Sequence, residues 1–374
     1  MNIAGFNIEQ SLVWAFVGVI LVLSFVLFMV LFLTYFERKV LGHFQLRLGP
    51  MRVGFHGALQ APADAIKLMV KEDLIPDCAD NRVYRFAPYV VFVPTFLVFM
   101  VIPFARDWVV ANLDLGLFFI VAVPGLSIVG LFMAGWSSDN KYALLGAVRS
   151  VAQMVSYELP LVVSILGVAI LAETLSLSKI VDMQSTVPYL FLQPIGFLIF
   201  LISSLAELNR TPFDIPVAES EVVGGPHIEY SGMRWGIFYL AEYGNTFATA
   251  AICATVFLGG WAWPLLPGFV WFLIKTYVVI LLIFWLRATL PRLRIDQLMG
   301  FAWKFLLPLS FVNLLLTAMY MLYGWPALAI SLVVTAGIIY WGVSLWQSHS
   351  TRRPAPLKRP TTVRLVEAAG GDGK

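Results

Sequence analysis

Long apolar segments alternate with shorter polar ones along this chain of 374 residues. A helix needs about 20 mostly apolar residues to cross the hydrocarbon core of a bilayer. Each such segment must be helical, because lipid offers the backbone no hydrogen-bond partners. By this criterion the sequence predicts nine spans, at residues 11–36, 86–104, 115–136, 147–171, 189–206, 235–259, 269–287, 303–323 and 326–346. The predicted fold class is all-α, a polytopic membrane helix bundle.

Composition supports a membrane protein. Hydrophobic residues make up 60% of the chain and charged residues 13%, whereas soluble domains carry about 25% charged residues. We therefore expect residues 1–348 to form one multi-span membrane domain. Residues 349–374 are rich in proline and charge without apolar periodicity, which predicts a disordered basic cytoplasmic tail.

The distribution of Lys and Arg predicts the orientation of the chain. If the amino terminus lies outside, 22 of the 25 Lys and Arg residues fall in cytoplasmic segments or at their edges. Basic residues favour the cytoplasmic side of a membrane. The sequence thus predicts a multi-pass protein of the cell (inner or plasma) membrane with its carboxyl terminus in the cytoplasm.

The segment 57–71, between the first two predicted spans, has the polarity of an amphipathic helix. Gln60, Asp64, Lys67 and Lys71 recur at spacings of four, three and four, which places them on one face. Such a helix lies along the membrane interface. Its polar face has two interpretations: it simply faces water, or it forms the wall of a cavity shared with a soluble partner.

The stretch 206–245, which includes the predicted cytoplasmic loop 206–234, is rich in acidic residues. Apolar residues and three prolines are interleaved with the charges, a poor composition for a free loop. We expect an ordered loop that folds against the bundle, with a solvated docking surface as the alternative. The stretch holds six of the 22 acidic residues: Glu207, Asp214, Glu219, Glu221, Glu229 and Glu242.

Three charged residues lie within predicted spans: Glu158, Glu242 and Lys275. Charges at mid-bilayer cost about 2.5–3.5 kcal/mol each on insertion scales and mark ion or proton pathways. The alternative is a structural pair of one acid with one base that holds helices together. We take a proton relay as the working hypothesis.

Other chemistry finds little support in the sequence. Two cysteines, Cys78 and Cys253, are too few for an iron–sulfur cluster. None of the four histidines lies inside a predicted span, and no phosphate-binding glycine motif is present. We therefore expect no metal site and no redox cofactor in this chain alone.

Sequence motifs in four regions stand in a particular order. They are ERKVLGHFQLRLGPMRVG at 37–54 with QAPADAIKL at 60–68 and KED at 71–73; AGWSSDNKYALLG at 134–146 with QMVSYE at 153–158; AELNRTPFD at 206–214 with ESE at 219–221, EYSG at 229–232 and LAEYGN at 240–245; and RATLPRLRIDQLM at 287–299. Together they resemble the quinone-site membrane subunit of respiratory complex I, the NADH:quinone oxidoreductase. The likeness covers residues 10 to 320.

This resemblance implies a membrane subunit that forms part of the quinone chamber and the acidic start of a proton path. The quinone-chamber residues would be Arg38, Gln60, Asp64, Lys67, Arg210 and Phe213. The proton path would be Glu158, Glu207, Asp214, Glu219, Glu221, Glu229 and Glu242. Quinone would be the substrate, with iron–sulfur clusters and flavin mononucleotide (FMN) in peripheral-arm partners. Antiporter-like membrane subunits and lipid would be the other partners, and nucleic acid would not be one.

The chain departs from the family pattern in places. Val217 stands where the family usually has a glutamate, and the span 326–346 lies beyond the eight helices of shorter members. Two other functions stay open: the equivalent anchor of a membrane-bound hydrogenase, and a secondary transporter. The placement of most acids in a loop, rather than at the membrane midplane, argues against the transporter.

Overall fold

The computed structural model describes residues 2–3, 6–106, 108–216, 219–263 and 265–324, together with Val333, Val334, Gly337 and Tyr340. Residues 1–328 form one compact unit and residues 329–374 a second, in which the four described residues are helical. The predicted tail 349–374, Val217 and most of the predicted span 326–346 lie outside the described residues.

Helices form nearly all of the regular structure that is described. A two-stranded antiparallel pair, Asn2–Ile3 with Phe6–Asn7, precedes them. The helices are α1 (Ile8–Phe44), α2 (Gln60–Val70), α3 (Asn81–Val101), α4 (Gly116–Ser137), α5 (Lys141–Ala172), α6 (Leu177–Met183), α7 (Tyr189–Leu192), α8 (Pro194–Glu207), α9 (Glu219–Val222), α10 (Gly232–Val256), α11 (Gly268–Thr289), α12 (Ile295–Phe301) and α13 (Leu307–Tyr323).

The prediction of an all-α membrane bundle is confirmed. Six helical segments are long and apolar enough to cross a membrane: Phe16–Phe44, Asn81–Val101, Gly116–Ser137, Lys141–Ala172, Gly268–Thr289 and Ile295–Tyr323. The remaining helices in this size range are α8, which has only 14 residues, and the 25-residue α10, which carries Arg234 and Glu242. Each of the first eight predicted spans overlaps a helix, so the prediction of nine is neither confirmed nor excluded.

Two boundaries differ from the sequence prediction, each for a local reason. Helix α1 continues to Phe44 instead of ending at residue 36, because no proline or glycine interrupts it before Gly42. Glu37 and Arg38 therefore lie on a helix rather than in a loop. The predicted span 189–206 is two helices, since Gln193 precedes Pro194 and takes a non-helical conformation with φ −132° and ψ 62°.

Helix α10 lies inside the bundle, against α1, α3 and α11. Small residues allow its close approach, as at Gly244, where an added Cβ would lie 2.9 Å from a methyl group of Thr95. Most residues of α10 beyond Gly244 are buried. This packing brings the carboxylate of Glu242 towards α1 and the acid-rich loop.

The amphipathic helix predicted at 57–71 is confirmed as a helix by α2. It lies against α1 and α10. A short 3-10 turn, Phe55–Gly57, precedes it. The arrangement of α1, α2 and α10 forms one of the cavities described below.

Candidate functional site

The first part of the acid-rich loop is tied to α5 by one buried glutamine. Nε2 of Gln153 donates to the backbone oxygens of Ala206, at 2.7 Å, and Phe213, at 2.8 Å. Phe213 and Ile215 are buried, and the ring of Phe213 contacts that of Tyr157. The prediction of an ordered loop folded against the bundle is confirmed for these residues.

Arg210, which follows α8, reaches from this loop into a buried charge cluster. Its Nη1 lies 3.3 Å from Oε1 of Glu37 on α1, and its Nη2 lies 3.1 Å from Oε1 of Glu242 on α10. The guanidinium also lies over the ring of Tyr243, 4.7 Å from the ring centre. Nη1 of Arg287, from the end of α11, donates to the same oxygen of Glu37. Four separate elements therefore meet at these charges.

Burial and charge act in opposite directions on Arg210. Burial lowers the pKa of the guanidinium, but the carboxylates of Glu242 and Glu37 more than offset it and raise the pKa above its usual value. Arg210 and Glu37 are each only 3% exposed. Because a buried ion that loses its partner is strongly destabilising, these residues depend on one another.

The cluster opens into a polar cavity of about 170 Å³. Glu207, Arg210, Asp214, Glu242 and Arg287 line it, as does His227. A second, more apolar cavity of about 50 Å³ adjoins it. The two cavities share Met154, Glu207, Leu208 and Asn245 as walls.

Glu158 lines only the second cavity. Glu207 therefore stands between the charge cluster and Glu158, so carboxylates lead from the loop into the bundle.

The other predicted acids lie elsewhere on the loop. Glu221 pairs with Arg149 of α5 at 3.2 Å and is partly exposed. The carboxylate of Glu229 accepts a 2.6 Å hydrogen bond from the side-chain amide of Asn140. Glu219 begins α9, and its side chain is outside the described part of the structure. At the mouth of the polar cavity, Asp214 pairs with Arg292 at 2.8 Å.

The structural ion pair considered for the charges within spans is present only in part, and with a different base. Glu242 pairs with Arg210 rather than with Lys275. Nζ of Lys275 lies 3.4 Å from the carbonyl oxygen of Ala262 and over the ring of Trp263. Among the described residues, neither Lys275 nor Glu158 forms an ion pair.

An apolar cavity of about 260 Å³ lies between α1, α2 and α10. Leucine, valine, methionine and alanine side chains form most of its wall, while Arg38, Asp64 and Tyr239 supply polar atoms. Nη1 of Arg38 donates to Oδ2 of Asp64 at 2.6 Å, and Nε2 of Gln60 donates to the other carboxylate oxygen at 3.0 Å. The cavity suits an apolar molecule that carries a polar group at one end.

Two tyrosines one turn apart on α10 connect the apolar cavity with the charge cluster. Tyr239 lines the apolar cavity, and its ring centre is 4.6 Å from that of Tyr243. Tyr243 in turn contacts the guanidinium of Arg210. Hydroxyl groups thus lie between the two cavities.

The structure separates the residues that the resemblance assigned to the quinone chamber. Arg38 and Asp64 line the apolar cavity, and Gln60 is bonded to Asp64. The described residues lining this cavity do not include Lys67, which is exposed on α2, or Arg210 and Phe213. Arg210 belongs to the polar cavity, and Phe213 is buried under the loop.

Sequence reasoning missed Glu37, Arg287, His227 and the two tyrosines. Glu37 was placed in a loop because the predicted first span ended at residue 36. The signal available was the run ERK following an uninterrupted apolar helix, which extends the helix and brings a charge to its buried face. No one-dimensional pattern reveals that Arg287 reaches a residue 250 positions away.

The fold and these cavities define a class: a polytopic helical membrane protein with an apolar ligand-sized cavity beside a buried network of carboxylates and arginines. Residues 17–318 match the model of the family described as NADH dehydrogenase. Because this match covers most of the chain, the chain belongs to that family.

Similar proteins are all named as the same subunit of NADH-quinone oxidoreductase. One from Dehalococcoides mccartyi (strain CBDB1) is 53% identical over 302 residues, 81% of this chain and 85% of that protein. One from Geobacillus kaustophilus (strain HTA426) is 54% identical over 289 residues, 75% and 86% of the two chains. One from Brevibacillus brevis (strain 47 / JCM 6285 / NBRC 100599) is 48% identical over 315 residues, 83% and 94% of the two chains.

Proposed function

We propose that this chain is the membrane subunit of a proton-translocating NADH:quinone oxidoreductase in which the apolar cavity receives quinone and the polar cavity starts the proton path. The observation that carries the proposal is the contact between the two cavities through Tyr239 and Tyr243 of α10. Family membership and the name shared by its relatives favour this function over a hydrogenase anchor or a transporter.

The apolar cavity matches the chemistry of a quinone with an isoprenoid tail. Apolar side chains of α1, α2 and α10 would bury the tail, while Arg38, Asp64 and Tyr239 offer polar contacts to the oxygens of the headgroup. Reduction of a quinone to a quinol takes two electrons and two protons. This chain would bind and orient the quinone, and the electrons would come from iron–sulfur clusters and FMN held by peripheral-arm subunits.

The polar cavity would couple this chemistry to proton movement. Reduction changes the charge in the apolar cavity, and a charge change within a few ångströms shifts the protonation of neighbouring titratable groups. Tyr239, Tyr243 and Arg210 form the shortest set of contacts between the two cavities. We infer that protons then pass among Asp214, Glu242, Glu207 and Glu158. Glu219, Glu221 and Glu229 would supply the loop end of the path.

The partners follow from the same proposal. Peripheral-arm subunits would dock on the side that carries the acid-rich loop, and antiporter-like membrane subunits and lipid would cover outward apolar faces. Purification in mild detergent tests this assembly. Iron–sulfur and flavin absorbance should copurify with the chain, and a purified chain without either would favour the transporter.

Replacing Arg38 with alanine or Asp64 with asparagine should raise the apparent KM for quinone about tenfold, because each change removes a polar contact of the apolar cavity. Electron transfer from NADH to an artificial acceptor should persist, since that reaction does not use this cavity. Steady-state kinetics over a range of quinone concentrations measures the effect.

Lys67→Ala is the matched control for these variants. It removes an exposed charge from the same helix outside the described wall of the cavity. Quinone kinetics that are unchanged in assembled Arg38→Ala and Asp64→Asn complexes would assign the polar face of α2 to water alone.

The orientation gives a separate prediction. A reporter fused after Lys374 should report a cytoplasmic location, because the basic residues place the amino terminus outside and the sequence predicts an odd number of spans. Residues 206–234 should then face the cytoplasm. A reporter on the outer side would remove 326–346 from the predicted spans.

A further inference from the structure

His227 is a buried titratable residue to which the proposed path gives no role. It ends the 3-10 turn Gly225–His227, and its side chain helps to line the polar cavity. Nδ1 of its ring is buried and has no hydrogen-bond partner among the described residues. An unpartnered buried nitrogen costs free energy, so its position calls for an explanation.

The backbone around His227 is built to bring it there. Gly224 and Gly225 both have positive φ, 110° and 65°, which turn the chain back towards the bundle. The turn then packs tightly on α5, since a Cβ added to Gly146 would lie 2.4 Å from Cα of Gly225. Side chains larger than hydrogen at these places would move His227 out of the cavity.

The charges that face this ring decide its resting state. Burial lowers the pKa of His227 to about 4, so the imidazole is neutral near pH 7. Arg210 and Arg287 in the same cavity oppose a positive charge on it, while Glu207, Asp214 and Glu242 favour one. The described residues that α3, α4 and α5 contribute to the cavity wall are Val91, Ser127, Leu131 and Met154, which carry no titratable group.

We propose that His227 is a temporary proton-holding residue of the polar cavity, which receives a proton at Nδ1 from one cavity carboxylic acid and returns it to another. In the first step the O–H bond of the acid breaks and an N–H bond forms, leaving a carboxylate beside an imidazolium. In the second step Nδ1 gives the proton to a different carboxylate and the ring is neutral again. The net charge of the cavity is unchanged throughout.

Geometry and polarity support this exchange. A cavity of about 170 Å³ has room for several water molecules, each of which needs about 10–15 Å³ and two or more polar partners. Water can bridge Nδ1 to carboxylates that it does not touch directly. The imidazolium forms only together with a new carboxylate, which offsets the cost of a buried cation.

The alternative role is structural, because the ring of His227 also packs on Phe238 at a centroid distance of 4.6 Å. Two variants separate the roles in the complete complex. His227→Phe keeps an aromatic ring against Phe238, and His227→Gln keeps a neutral polar group without the titration. His227→Asn is a smaller third variant if the first two assemble poorly.

Assembled complexes of all three variants, reconstituted into vesicles with quinone, should lose about ten- to hundredfold in quinone-linked turnover. They should also move fewer protons per electron, while transfer from NADH to an artificial acceptor persists. Normal turnover and a normal proton-to-electron ratio in His227→Gln or His227→Asn would overturn the proposal and leave a structural role. Rescue by His227→Phe alone would do the same.

This inference rests on the proton path proposed above, and a parallel Glu207→Gln complex keeps the two claims apart. Loss of pumping with Glu207→Gln but not with the His227 variants would overturn only the role of the histidine. Normal pumping with both would overturn the path itself.

Discussion

Replacing Arg210 with leucine is expected to prevent stable assembly of the protein. The change strands the carboxylate of Glu37, which is 3% exposed, with only Arg287 near it, and removes the partner of Glu242. Breaking a buried ion pair in this way costs about 3–5 kcal/mol. The amount of the chain recovered in the assembled complex, and its midpoint of thermal unfolding, measure the effect.

Arg149 offers a matched control, because its pair with Glu221 is partly exposed. Exposed pairs contribute about 0–1 kcal/mol, so Arg149→Leu should assemble normally. Adding Glu37→Gln to Arg210→Leu should restore part of the assembly, since it removes the stranded charge. Normal assembly of the single Arg210→Leu variant would mean that the buried cluster does not hold these elements together.

Glu158→Gln and Glu207→Gln should assemble and yet fail to pump. Each amide keeps the shape and polarity of the side chain but removes its titration. The two carboxylates lie on successive cavities that share Glu207 as a wall. Quinone-linked turnover should fall at least about tenfold, because a positioned acid–base group contributes about 10²–10⁴. Spectrophotometric assay of NADH oxidation with quinone measures this loss.

Glu221→Gln is the control for these two variants. Glu221 is partly exposed beside Arg149 and lies outside the described walls of both cavities. Water can replace a surface carboxylate, so we expect a smaller loss. Equal losses in all three variants would indicate a general effect of the acid-rich loop on assembly rather than a path through the cavities.

Periodicity and length predicted the helices well because lipid leaves the backbone no alternative to a helix. They predicted the ends of helices less well. The rule of about 20 apolar residues ended the first span at residue 36, yet α1 extends to Phe44 because charged residues are good helix formers. This one boundary hid Glu37, the carboxylate at the centre of the buried cluster.

The grouping of charges depended on tertiary contacts that no sequence spacing encodes. Arg210 was assigned by motif to the quinone chamber, but its side chain reaches Glu37 and Glu242 on two other helices. The stripe on α2 is similarly divided, since Asp64 lines the apolar cavity whereas Lys67 is exposed. Residue type and helix face were predictable, but the partner across the bundle was not.

The ratio of protons moved to electrons transferred tests the central claim most directly. It should be measured in vesicles that contain the reconstituted complex, with NADH as donor and quinone as acceptor, for the unsubstituted protein and for Glu158→Gln. We expect the residual electron transfer in Glu158→Gln to move fewer protons per electron. A full ratio in Glu158→Gln would contradict a proton path through these cavities.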